Sequence, residues 1–73
     1  MKDEQYKAII SNLREAIQES GLKQKAVAER VNMHPRQLNN VLCYRKRLNP
    51  EDIPAFCMVL NITPNQLFKG TVA

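Results

Sequence analysis

Residues 24–42 read QKAVAERVNMHPRQLNNVL, two stretches of helical apolar spacing joined by Asn32, Met33, His34 and Pro35 alone. Val27, Ala28 and Val31 stripe the first, from about Gln24 to Val31; Leu38, Val41 and Leu42 stripe the second. So short a joint makes the two helices turn sharply against each other. Asn32 stands where a left-handed residue is wanted, and Asn commonly replaces Gly there. The second stretch opens at His34 or Pro35, since proline at the first helical position lacks only an N–H that would have no helical partner. Away from its apolar stripe it carries Arg36, Gln37, Asn39 and Asn40, each able to make several hydrogen bonds.

The flanking chain is helical by pattern as well. Tyr6, Ile9, Ile10, Leu13, Ala16 and Ile17 share one stripe of a helix from Asp3 or Glu4 to Ser20, with Gly21 to end it. Cys43 to Leu48 reads as a basic loop. A fourth helix starts near Asn49 and Pro50, with Asn49 as cap and Asp52 approximating a capping box, while Pro54 delays the regular helix to about Asp52 or Ile53. Asn61 ends it, and Thr63 and Pro64 open a short fifth helix reaching Leu67 or Phe68. No strand pattern competes, so the expectation is an all-α fold of five helices in a single domain, residues 1–73.

A chain of 73 residues is near the lower limit for a self-supporting apolar core and leaves little room for a deep, walled catalytic pocket. Hydrophobic residues make up 44%, with two Tyr, two Phe and no Trp, so the core must be mostly aliphatic. The longest apolar run, Ile53 to Leu60, falls far short of the ~20 residues a membrane span needs, and the polar start MKDEQYK is no signal peptide. A cytoplasmic location is expected. Cys43 and Cys57 lack the close pairing of a zinc or redox motif; Cys57 reads as core, and Cys43, beside the basic loop, as either an inert or a regulatory thiol.

Charge is unevenly placed. Residues 23–47 hold Lys23, Lys25, Arg30, Arg36, Arg45, Lys46 and Arg47 against Glu29 alone, within a net charge of +4. That stretch is either a solvated basic surface or an electrostatic footprint for a polyanion. Catalytic groupings do not assemble: the lone His34 has no evident nucleophile and acid partners, nor ligand-spaced neighbours for a metal, and Gly21 and Gly70 are too far apart for a phosphate-cradling loop. No cofactor, metal or small-molecule substrate is expected, and no enzymatic activity.

Ala28, Asn32 and Leu38, at spacings of four and six, meet the needs of a tight helical elbow: a small residue where the helices cross, a tolerant one at the turn, an apolar anchor beyond. On those residues GLKQKAVAERVNMHPRQLNNVL, residues 21–42, resembles the helix-turn-helix of the Cro/C1-type, lambda repressor-like family. That family commonly begins with Gly-Leu-polar-Gln, places Ala four residues after the Gln, and has a small or polar turn residue four further on. MVLNITPNQLF, residues 58–68, is similar to its closing pattern, so the likeness spans roughly residues 5–69.

The resemblance implies a sequence-specific DNA-binding transcriptional regulator, of phage or mobile-element repressor type, whose helix-turn-helix is formed by helices 2 and 3. It implies that helix 3 lies in the major groove with His34, Pro35, Arg36, Asn39 and Asn40 at base edges, Arg36 suited to guanine and Asn40 to adenine. Gln24 would touch a phosphate and brace helix 3, while Lys23, Lys25, Arg45, Lys46 and Arg47 would neutralise flanking phosphates. Three departures stand out. Pro35 replaces an amide or hydroxyl that reads a base in many relatives; Ile17 and Leu42 replace a buried Arg–Glu pair with packing; Tyr44 stands where many relatives have Gly, so the following loop is expected to run differently.

Blander readings accompany these. His34 is as readily a cap or surface residue, and Asn39 and Asn40 can be a merely solvated helix face. A competing class of function is a protein-interaction module, antitoxin-like or adaptor, that keeps the fold. Because one such domain reads few base pairs, the expected partner besides double-stranded DNA is a second copy of the chain on the same DNA. The C-terminal region is expected to be the one apolar surface left over, with Leu67, Phe68 and Val72 as contact candidates, although Leu67 and Phe68 can equally close the monomer's own core.

Overall fold

The computed structural model describes residues 3–70, with side chains from Gln5 onward. Five α-helices follow in order: α1 Asp3–Ser20, α2 Gln24–Arg30, α3 Pro35–Leu42, α4 Ile53–Leu60 and α5 Pro64–Leu67, with a 3-10 turn, Pro50–Asp52, before α4. Among the described residues there is no strand. α1 lies against α3, α4 and α5; α2 crosses α3 and also meets α4.

Each helix ends on a residue that can turn the backbone. Gly21, Asn32, Tyr44 and Asn61 all have positive φ, at 76°, 60°, 63° and 56°. After α2, Met33 N–H donates to Ala28 O at 2.8 Å and Asn32 N–H to Glu29 O at 3.2 Å, the paired bonds of a Schellman motif. Asn32 is therefore the left-handed residue expected at the elbow, and the Ala28 and Glu29 carbonyls at the end of α2 are satisfied within the turn itself. After α1 the Ser20 hydroxyl intervenes: it donates to Ile17 O and accepts from Leu22 N–H, beside the Gly21 N–H bond to Gln18 O.

Helix starts follow the caps, with one change. Asn49 Oδ1 accepts from Glu51 N–H at 3.1 Å, so it caps as expected, and α4 begins regularly at Ile53 with Pro54 in its first turn. The capping box expected between Asn49 and Asp52 is found one helix later. The tight 3-10 turn brings Glu51 N–H, not Asp52, to the Asn49 side chain. Thr63 and Gln66 form the reciprocal pair instead: Gln66 N–H donates to Thr63 Oγ1 at 3.2 Å and Thr63 N–H to Gln66 Oε1 at 2.8 Å.

The core gathers Ile10 and Leu13 of α1, Val27 and Ala28 of α2, Leu38 and Val41 of α3, Phe56 of α4 and Leu67 of α5, all with 2% exposure or less. Phe56 is the largest; truncating such a buried aromatic to alanine costs about 3–5 kcal/mol. Ala28 is completely covered at the α2–α3 crossing, where a larger side chain would push the helices apart. Ile17 and Leu42 are both buried in the apolar core. Cys57 is buried as well, and burial pushes its thiol pKa up, keeping it protonated.

Two expectations about the C-terminal region change. Leu67 is fully buried and cannot serve as a surface contact: α5 docks on α1 and α4, and Asn12 Nδ2 ties its end down by donating to Leu67 O at 2.8 Å and Lys69 O at 2.6 Å. Phe68 is half-buried, and Val72 lies outside the described residues. Nor is this region the one place with apolar surface. Met58 is 84% exposed, because the side of α4 opposite Phe56 and Leu60 faces outward at Pro54, Met58 and Asn61.

Candidate nucleic-acid interface

α3 has only eight residues, and its two sides differ completely. Leu38, Val41 and Leu42 are buried, whereas Arg36 and Asn39 are exposed and Pro35, Gln37 and Asn40 are half-buried. Pro35 is at the first helical position, and His34 is the N-cap: its Nδ1 accepts from Arg36 N–H at 3.1 Å. His34 thus does the work of a capping Ser or Asp. Accepting at Nδ1 fits a neutral ring with its proton on Nε2, which leaves Nε2–H as a donor.

Asn39 is drawn into a small polar cluster. Gln24 Nε2, from the first residue of α2, donates to Asn39 Oδ1 at 3.4 Å, and Cys43 Sγ–H donates to the same oxygen at 3.8 Å. Gln24 therefore reaches across the elbow and touches α3 on its exposed side. The Asn39 side-chain carbonyl thus accepts from two neighbouring side chains at the surface, and its NH₂ remains as a donor.

The basic segment is hung from the end of α3 by backbone bonds. Arg45 N–H and Lys46 N–H both donate to Asn40 O, at 2.8 and 3.2 Å, and Tyr44 N–H donates to Val41 O at 3.2 Å. The Asn40 and Val41 carbonyls thus receive the two bonds of a second Schellman motif, with Tyr44 in the left-handed position. For a bulky residue that conformation is an outlier. Arg45, Lys46 and Arg47 are all exposed, as are Lys23 and Lys25 at the start of α2.

Pattern reading passed over Tyr6 and Lys7, which line a cleft of about 230 Å³ together with Tyr44, Arg45, Lys46 and Arg47. The signal in the sequence was slight: Tyr6 falls on the apolar stripe of α1 and reads as core. A second, apolar groove of about 540 Å³ is lined by Tyr6, Ile9, Leu48, Pro50, Ile53 and Phe68, among others. Among the described residues no group of three or more His, Cys, Asp or Glu side chains is placed to hold a metal ion, and no helix is long and apolar enough to cross a membrane.

The arrangement is an outward polar helix face, braced from α2 and bordered by cations before and after it, which suits a duplex with base edges in a groove and phosphates on both rims. No curated protein and no solved structure matches the chain. The family model of the Cro/C1-type HTH DNA-binding domain matches residues 12–70, from the middle of α1 to just beyond α5. With an all-helical fold whose second and third helices meet at a left-handed Asn32, the chain belongs to the Cro/C1-type helix-turn-helix DNA-binding domain family.

Proposed function

We propose that this DNA-binding domain is a sequence-specific transcriptional repressor of phage or mobile-element type, acting in the cytoplasm and reading the major groove with α3. The observation that carries the reading is the division of α3 into a buried apolar side and an outward side of multidentate groups, Arg36, Asn39 and Asn40. Arg36 matches guanine O6 and N7, and Asn40 matches adenine N6 and N7. Asn39 offers its NH₂ once Gln24 holds its carbonyl, and His34 offers Nε2–H while its other nitrogen caps the helix. Pro35 contributes shape and apolar contact only. Lys23, Lys25, Arg45, Lys46 and Arg47 supply phosphate neutralisation, with Gln24 as both brace and phosphate donor.

A pair of such domains on one site is the companion reading. The apolar groove that Phe68 shares with Leu48, Pro50 and Ile53 supports it, because exposed apolar surface of this kind is what a second copy would cover. Selection of bound duplexes from a random library tests both statements. A recovered palindrome supports paired, base-specific reading; recovery of no common sequence overturns it. The 84% exposure of Met58 on α4 favours a second reading, contact with another protein from the face away from Phe56 and Leu60. A domain that binds no DNA at low salt yet retains a protein partner would establish that alternative.

A further inference from the structure

The Tyr6 hydroxyl is a two-way clamp on the basic segment. It donates to Lys46 O at 3.2 Å and accepts from Leu48 N–H at 2.8 Å, across 40 and 42 residues of chain. The guanidinium of Arg47 sits over the Tyr6 ring at 5.0 Å from its centroid, within cation–π range. One side chain of α1 thus touches three consecutive residues, Lys46, Arg47 and Leu48. At the other end of the segment, the Asn40 carbonyl holds Arg45 and Lys46. Between these anchors the backbone has little freedom, although the side chains it carries are exposed.

An unanchored loop with three cations would lose conformational entropy on meeting a duplex, for every residue that binding fixes. A loop already held avoids that cost. From this we infer that Tyr6 is a positioning residue of the DNA interface: it pre-sets the Arg45–Arg47 segment in the form that meets backbone phosphates. Lys7, the next residue of α1, lines the same cleft and joins that cationic surface. Tyr6 lies outside residues 12–70, so the family match does not account for it. The inference rests on the reading that Arg45, Lys46 and Arg47 face phosphates.

Tyr6→Phe is the test, because it keeps the ring and its stacking on Arg47 and removes only the hydroxyl. Affinity for a random-sequence duplex is measured over a series of salt concentrations and referred to the folded fraction read by circular dichroism, alongside exchange of the Leu48 amide proton. The expected result is a severalfold loss of affinity and faster Leu48 exchange, with a salt slope that is unchanged if the loosened segment still reaches its phosphates and shallower by about 0.9 for each phosphate it no longer neutralises. Unchanged affinity in Tyr6→Phe, or a loss of affinity without faster Leu48 exchange, would overturn the positioning role. A variant with Arg45, Lys46 and Arg47 all changed to Ala separates the two levels. If it binds with wild-type affinity and slope, the segment does not face DNA and the underlying reading fails. If it is defective while Tyr6→Phe is not, only the role of Tyr6 fails.

Discussion

Gln24 Nε2 donates to Asn39 Oδ1 at 3.4 Å, joining the first residue of α2 to the exposed side of α3. The bond is long and lies at the surface, so it adds little to folding. Its effect is on orientation: it sets the direction of the Asn39 amide and hence which group α3 turns outward. Gln24→Ala should therefore change stability by no more than about 0.5 kcal/mol, as exposed substitutions do, while weakening binding to the preferred site. A double-mutant cycle with Asn39→Ala, read in binding, should show a coupling of about 0.5 kcal/mol or more. Strict additivity would mean the two residues act independently on DNA.

Arg36 and Asn40 share the outward side of α3 but differ in exposure, Arg36 exposed and Asn40 half-buried. Changing either to Ala should cost about 1–3 kcal/mol on the preferred sequence and relax preference at a defined base position. Asn40→Ala leaves the carbonyl that holds Arg45 and Lys46 in place, so the basic segment keeps its anchor. Competition between preferred and random duplexes checks this directly. Equal losses on both would assign these residues to backbone contact.

Tyr44 has φ of 63° and is 45% exposed, a large aromatic in a conformation that glycine adopts freely. The left-handed conformation costs a residue with a Cβ roughly 1–2 kcal/mol, whereas glycine brings a greater loss of chain entropy of roughly 0.5–1 kcal/mol. The balance predicts that Tyr44→Gly raises stability by up to about 1.5 kcal/mol, with about 4–8 °C in melting temperature for each kcal/mol gained in a domain of this size. Thermal unfolding followed by circular dichroism measures it. A drop in stability would show that the ring's packing outweighs the strain. If stability rises and DNA affinity falls, the ring is retained for the cleft it shares with Lys7 and Arg45.

How much of this was legible depends on how local its cause is. Helix ends were readable because each is decided within a few residues: Gly21, Asn32 and Asn61 by their tolerance of positive φ, Pro35 and Thr63–Pro64 by their fit to a helix start. Even Tyr44 was marked out, as a bulky residue where the resemblance implies Gly, and its backbone takes the left-handed conformation that glycine adopts freely. Tyr6 and Asn12 were not readable in this way. Their hydrogen bonds join residues 40 to 57 positions apart, and periodicity assigns a residue to a side of a helix without naming what it meets there. The burial of Leu67 is likewise a tertiary effect, set by the docking of α5 on α1 and α4, and the exposure of Met58 by which side of α4 packs inward.

A single α3 reaches only a few base pairs, so useful discrimination calls for two copies on half-sites about one helical turn, ~34 Å, apart. The apolar groove beside the basic segment is the surface expected to pair, with Phe68 half-buried in it and Pro50 exposed at its edge. A small apolar interface of this kind should leave the free protein largely monomeric and hold only when DNA brings two copies together. Pro50→Lys tests the arrangement without touching the core, since Pro50 is exposed and lies in a three-residue turn. A lysine there puts a charge into the apolar groove, and the cost of covering it should remove cooperative occupancy of a palindromic duplex. Binding to an isolated half-site should survive. Sedimentation of wild-type protein with the recovered duplex decides the stoichiometry. Two proteins per palindrome for wild type and independent, weaker binding for Pro50→Lys are expected, while one protein per duplex on a non-palindromic sequence would sink the paired reading.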